Sequence, residues 1–300
     1  MTCLSKMKQV FTILCCCLLG ITYSQNDNYL DRLQAVISSN AIFYNVDGID
    51  ITSKSFNSKF NEKDLKKVLR TYKIKKKDPK SKDSQLPVNN YVYEKSEIIT
   101  DHLKLNVIYY VLDVKTKVTI ISFAYTKDRD VRFERQFVSD FLTDNIPTEL
   151  FVSSKVDSIE FVGRKIKLGG NCKWMNVRNM QCPYYGQMNW SIHKTLENAK
   201  QNVEEHFLLT KHKKGGKVIS ETSTPIIFEG KETLAKSIVY DFTGVNSILA
   251  GMSGGKTLTI YYIAEEIRGY FVSCVLSFWN NDEINESGLP SLLEEVMSLK

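Results

Sequence analysis

Three places in the chain combine residue type and spacing in a way that could support chemistry. The stretch Ala250-Gly251-Met252-Ser253-Gly254-Gly255-Lys256-Thr257 matches two patterns. As a phosphate loop it supplies Gly255, Lys256 and Thr257, with alanine in place of the first glycine. As a nucleophile elbow it supplies Gly251-x-Ser253-x-Gly255. Both devices need a helix immediately afterwards, either to turn its amino end toward phosphate or to carry the serine on a sharp strand-to-helix bend. The next residues, Leu258-Thr259-Ile260-Tyr261-Tyr262-Ile263, read instead as a strand. The histidines His102, His193, His206 and His212 all precede Ser253, against the serine-then-histidine order of α/β-hydrolases. A flexible connection between two antiparallel strands fits better, since glycine reaches positive φ at little cost.

The second place is Cys172, which comes after Gly169-Gly170-Asn171 and could act as a thiol nucleophile with His193 or His206 as base. Such a cysteine needs a helix start to lower its pKa, and Lys173 to Arg178 offers none. Cys182 stands nearby as an oxidation partner. The third place is the scatter of metal-capable side chains. His206 and His212 are six apart, on different helix faces, and Asp128 and Asp130 lead into no calcium-loop spacing. No metal and no cofactor is expected.

A disulfide between Cys172 and Cys182 is the simplest reading of that pair, and it would restrict the unfolded chain by about 2–4 kcal/mol. Cys274 lies in the apolar run Tyr270 to Leu276, where a thiol behaves as a small hydrophobe. Around the pair cluster Trp174, Met175, Tyr184, Tyr185 and Trp190, with Pro183 and Gly186 shaping a turn. These side chains either fill the core beneath the loop or form a recognition surface on it.

The compartment matters to all of these readings. Lys6 and Lys8, an uncharged run from Val10 to Leu19, and Thr22-Tyr23-Ser24 form a secretory signal over residues 1–24, too short for a comfortable membrane span. Met7 would serve equally as its start. A lipid-modified cysteine is disfavoured because Leu14 precedes Cys15. Removing Lys6 and Lys8 takes 40 basic residues to 38 against 34 acids, a mild excess of +4. That balance, in an exported chain, argues against a nucleic-acid partner. Asn189-Trp190-Ser191 and Asn285-Glu286-Ser287 could carry sugar in a cell that modifies asparagine.

The elements that position these residues are read from periodicity. Helices are predicted over Tyr29 to Ile37, from Asn61 to Tyr72, over Val131 to Leu142, over Ile192 to Leu209, and after Pro290. Strands are predicted at 41–51, 91–98, 105–112, 118–125, 156–168, 188–190, 218–220, 225–229, 235–242, 257–263 and 270–278. Lys73 to Asn90, with Lys75-Lys76-Lys77, reads as a solvated connection, or else as a patch attracting phosphate or membrane. The pattern of strands, a helix, more antiparallel strands and a helix occurs twice. It is consistent with two similar α/β sandwich units in tandem, 25–150 and 151–300, or with one domain of alternating elements. Either way the fold class is α+β, antiparallel sheets flanked by helices. The layout resembles the sandwich of the PsbP and Mog1-like proteins. That likeness is one of architecture and implies no activity.

The expected function is that of an exported, secreted or periplasmic, non-catalytic protein that binds a protein, an envelope component or a small ligand, with no transmembrane segment after signal removal. The competing expectation is a secreted hydrolase using Cys172 or Ser253.

Overall fold

The computed structural model describes residues 28–101, 103–169, 171–213, 215–242 and 255–300. The expected signal segment 1–24 lies outside them. Two eight-stranded sheets dominate. The first holds β1 (Gln34–Ile37), β2 (Ile42–Val46), β3 (Ile49–Phe56), β4 (Lys80–Ser81), β5 (Asn90–Thr100), β6 (Leu103–Val114), β7 (Lys117–Tyr125) and β8 (Phe151–Ser153). A separate hairpin is built from β9 (Ser158–Phe161) and β10 (Arg164–Lys167). The second sheet holds β11 (Lys173–Asn176), β12 (Asn179–Cys182), β13 (Gly186–His193), β14 (Gly216–Phe228), β15 (Lys231–Phe242), β16 (Thr257–Ile267), β17 (Tyr270–Trp279) and β18 (Met297–Leu299).

Strand order repeats between the sheets. The first runs β8-β1-β2-β3-β7-β6-β5-β4, and the second β11-β12-β13-β17-β16-β15-β14-β18. In each, a three-strand meander is succeeded by a helix and a four-strand meander whose last strand pairs with the third. Only the short closing strands differ. β8 adds in parallel to β1, and β18 adds to β14 at the other edge.

The helices begin where the sequence supplies caps. In α1 (Glu62–Thr71) the Asn61 side chain accepts from the Asp64 amide at 2.9 Å. In α2 (Val131–Leu142) Asp130 accepts from Arg132 and Phe133. In α3 (Leu196–Lys211) Thr195 accepts from Asn198. The last helix, α4 (Ser291–Glu294), is one turn long.

Several boundaries differ from the periodic reading. Tyr29 to Ile37 is not a helix but a 3-10 turn, Tyr29–Arg32, and then β1. Ala35, Val36 and Ile37 also satisfy a strand pattern, and partners on both edges decide it. α3 starts at Leu196 because Ile192 and His193 finish β13. The two predicted runs at 218–220 and 225–229 belong to one strand, β14. The closing helix stops early, and Val296 and Met297 enter the core on the way into β18.

Each sheet buries both faces. In the first, Phe137 of α2 meets Tyr44 and Phe123 edge-on at 5.1 and 5.6 Å. The opposite face lies under α1, where Leu65 and Val68 pack on Val111, Val118 and Ile120 with Phe56, Tyr72 and Tyr109 around them. In the second, the β9–β10 hairpin and the α4 region cover Met188, Trp190, Cys274 and Leu276. Arg164 and Arg268 fix that hairpin through the buried Glu229 carboxylate at 2.8 and 2.5 Å. The remaining face lies under α3. No helix among the described residues is long and apolar enough to cross a membrane.

Candidate binding site

Strand alternation places successive side chains on opposite faces. In β13, Met188 and Trp190 join the apolar core, so Gln187, Asn189, Ser191 and His193 face the other way. In β17, paired with β13, Val272, Cys274 and Leu276 join that core, which leaves Ser273 and Ser277 beside the polar row. On an uncovered sheet this would be the solvent face. Here α3 packs over it, and Ser191, His193, Ser273 and Ser277 are all buried. α3 brings Val203 and Phe207 onto Ile238, Ile260 and Tyr262, and it adds Asn202 and His206, one turn apart. The result is a buried polar trough that runs beside the apolar contact between helix and sheet.

One end of the trough adjoins the first sheet. His193 Nε2 lies 2.8 Å from Ser273 Oγ, and that hydroxyl donates to Asn202 Oδ1 at 2.9 Å. The Ser273 proton is therefore committed to Asn202. His193 donates through Nε2–H, and its Nδ1 is left as an acceptor with no hydrogen-bond partner among the described residues. Burial is the main cause that depresses the His193 pKa to about 4; nearby Lys127, Arg178 and Arg32 add to it, and Asp47 opposes it. The Asp47-Gly48 turn presses against this end. Gly48 has φ +78°, and a Cβ there would sit 2.5 Å from Asn202 Nδ2, so only glycine fits. Arg32 Nε donates to the Asp47 carboxylate at 2.9 Å, and Lys127 Nζ donates to the Asp47 carbonyl at 3.1 Å.

The other end opens into a hollow of about 170 Å³ lined by Gln187, Asn189, Ser277, His206, Thr210, Tyr240 and Tyr262 among others. His206 Nε2 sits 2.5 Å from Arg178 Nη1. A guanidinium can only donate, so Nε2 accepts and the ring proton resides on Nδ1. Burial and the adjacent Arg178 hold the His206 pKa well below its ordinary value. Arg178 in turn binds Asp50 of β3 at 2.6 Å, which ties this wall to the first sheet. The Thr210 and Tyr240 hydroxyls donate to the carbonyls of His206 and Lys213. Burial pushes the Tyr262 phenol up to about 12. Asn189 Oδ1 is buried with no hydrogen-bond partner among the described residues. Such a group costs about 1–3 kcal/mol when left unmade, and most native structures avoid it.

This arrangement can bind. Its imidazoles are neutral, and the Ser273, Thr210 and Tyr240 hydroxyls are engaged. Ser273 and His193 are each 3 % exposed, and the serine proton points away from the histidine, so the pair lacks the nucleophile–base geometry of a hydrolase. No group of three or more metal-capable side chains occurs among the described residues.

The sequence-predicted positions fall elsewhere. Cys172 and Cys182 are joined as a disulfide, Cα atoms 4.2 Å apart, so Cys172 has no free thiol. Trp190 is core rather than surface, 2 % exposed and edge-on to Phe161 at 5.4 Å, because strand alternation places it with Met188. Trp174 tilts against it at 5.1 Å, and Trp174 and Tyr185 both pack partly buried on the same core. Met175 and Tyr184 are exposed. Cys274 is buried, which pushes its thiol far above the usual range. Lys256 and Thr257 lead into strand β16, not a helix, while Gly251, Ser253 and His102 lie outside the described residues. His212 bonds its own helix at the Leu208 carbonyl.

Periodicity alone does not reveal the trough, because polar alternation on a strand reads as a solvent-facing side. Asn202 and His206, flanking the Val203–Phe207 stripe, are the available signal that α3 turns polar groups inward.

No family model matches the chain, and no curated protein does. Among solved structures, the DynU16 crystal structure, a protein in the dynemicin biosynthetic locus, aligns over 85% of this chain and 78% of that chain. Identity is 7% and the TM-score 0.17, too low to carry a fold or functional argument.

Proposed function

We propose that this is an exported, non-catalytic binding protein whose ligand is a small, ring-sized molecule with a hydrogen-bonding edge, held beneath α3. The Asn189 side chain, which lines the hollow and whose buried carbonyl oxygen has no hydrogen-bond partner among the described residues, carries this reading. A cavity of about 150 Å³ takes one benzene-sized guest, so a space of about 170 Å³ suits a single ring with a donor group. Tyr240 and Tyr262 offer ring contacts, and Asn189 offers an acceptor.

Export through residues 1–24 is supported by the disulfide, which persists outside reducing compartments. The repeated strand order supports a tandem duplication in which 25–150 and 151–300 descend from one α+β unit. Met175 and Tyr184 offer a second, protein-facing contact area near the disulfide.

Thermal melting with phenol, benzamide and imidazole at millimolar concentration tests the reading. A rise in Tm with at least one fragment, lost in Asn189→Leu, is expected. No shift with any of the three, or an equal shift in the variant, would sink it.

A further inference from the structure

We propose that α1 and the segment after it form an electrostatic docking face for a membrane bearing anionic phosphate headgroups. Residues 62–82 contain ten Lys and Arg side chains, from Lys63 to Lys82, against Glu62, Asp64 and Asp78. That is a net +7 in a chain whose total is +6, so the remainder is −1 and the protein's excess positive charge is the property of one region. All ten cations are exposed. Among the described residues none of them is ion-paired.

Two of the local acids serve the backbone instead. The Asp64 carboxylate accepts from the Lys59 amide and the Asn61 side chain, and Asp78 accepts from the Lys75 amide at 2.8 Å. They complete turns and leave the ammonium groups unneutralised. The region is also held in place. Lys73 ends the helix at φ +54°, its amide bonding the Arg70 carbonyl at 3.0 Å. The Asp78 amide closes on the Lys75 carbonyl at 3.0 Å, β4 pairs with β5, and Lys80 Nζ rests 3.4 Å above the Tyr91 ring. An ordered array presents several charges together with little further loss of backbone freedom.

The chemistry favours lipid phosphate. Among the described residues, no large apolar side chain between 59 and 90 is exposed. The face therefore lacks both a wedge to enter a bilayer and an aromatic platform for stacking bases. What remains is attraction of cations to a negatively charged surface. The choice of lipid over nucleic acid rests on the proposed export of the chain.

Sedimentation of the purified chain with vesicles is the test, and it is independent of the hollow under α3. Binding is expected to phosphatidylcholine vesicles containing about 30 mol % phosphatidylglycerol, and not to pure phosphatidylcholine. Roughly 0.5 M salt should release it, since screening then acts within a few ångströms. The triple variant Lys75→Glu, Lys76→Glu, Lys77→Glu should lose at least ~10-fold in affinity. The Lys→Gln version, which leaves fewer repulsions should the first fold poorly, should fall between. Equal binding to both vesicle types, no binding to either, or unchanged binding by both variants would overturn the proposal. So would tighter binding to a duplex DNA oligonucleotide than to the anionic vesicles.

Discussion

Beneath α1 the first sheet is filled with hydrocarbon and aromatic rings, whereas beneath α3 an apolar cluster of Val203, Phe207, Ile238, Ile260 and Tyr262 is flanked by amides, hydroxyls and imidazoles. Strand order around the two helices is the same, so the difference lies in the side chains. Val118, Ile120 and Val111 meet Leu65 and Val68 in one half. In the other, Val203 and Phe207 meet Ile238, Ile260 and Tyr262, while Asn202 and His206 stand beside them near the polar row of β13 and β17. The first is an efficient way to hold a helix on a sheet. The second leaves buried polar atoms without partners, an expense that a functional site explains better than packing does. One topology thus carries an apolar helix contact in one half and a partly polar one in the other.

The largest expected effect tests the apolar contact. Ile120 is fully buried under α1, and Ile120→Ala should cost about 2–5 kcal/mol in denaturant unfolding. A loss under about 1 kcal/mol would mean that α1 is not anchored on this sheet through its apolar face.

Acidification acts on the other half. His193 has an ordinary pKa of 6.5 that burial lowers to about 4 in the folded chain. The unfolded chain therefore binds the extra proton between those values, and stability is complete above about 6.5 and falls as pH drops toward 4. The loss is on the order of 3 kcal/mol at the acid end. His193→Gln should reduce the slope and leave the share that His206, also lowered by burial, contributes; an unchanged slope would place the titration elsewhere.

A comparable or slightly smaller effect is expected at the edge of the second sheet. The disulfide closes a loop of sequence separation 10, and Cys172→Ala with Cys182→Ala should lower stability by about 2–4 kcal/mol without changing the fold. Melting that is indifferent to the substitutions would contradict this.

Much of the architecture is legible in the sequence. Asn61, Asp130 and the Val/Ile/Tyr runs of β5, β6 and β7 announce themselves through capping and β-branched composition. The disulfide is legible from two cysteines with few alternatives. The first segment is not, because Leu33, Val36 and Ile37 fit two periods and only pairing partners choose between them. The site is not legible for a similar reason. A strand such as Gln187-Met188-Asn189-Trp190-Ser191-Ile192-His193 states which side chains share a face. Only the tertiary placement of α3 states that both faces are covered.

The contrast between the halves is tested most directly by following backbone amide shifts of isotope-labelled protein during titration with benzamide. Perturbations gathered on Asn189, Thr210 and Tyr240, with none on Tyr72 or Tyr109, are the predicted result. Shifts centred under α1, or no saturable shift at all, would contradict it.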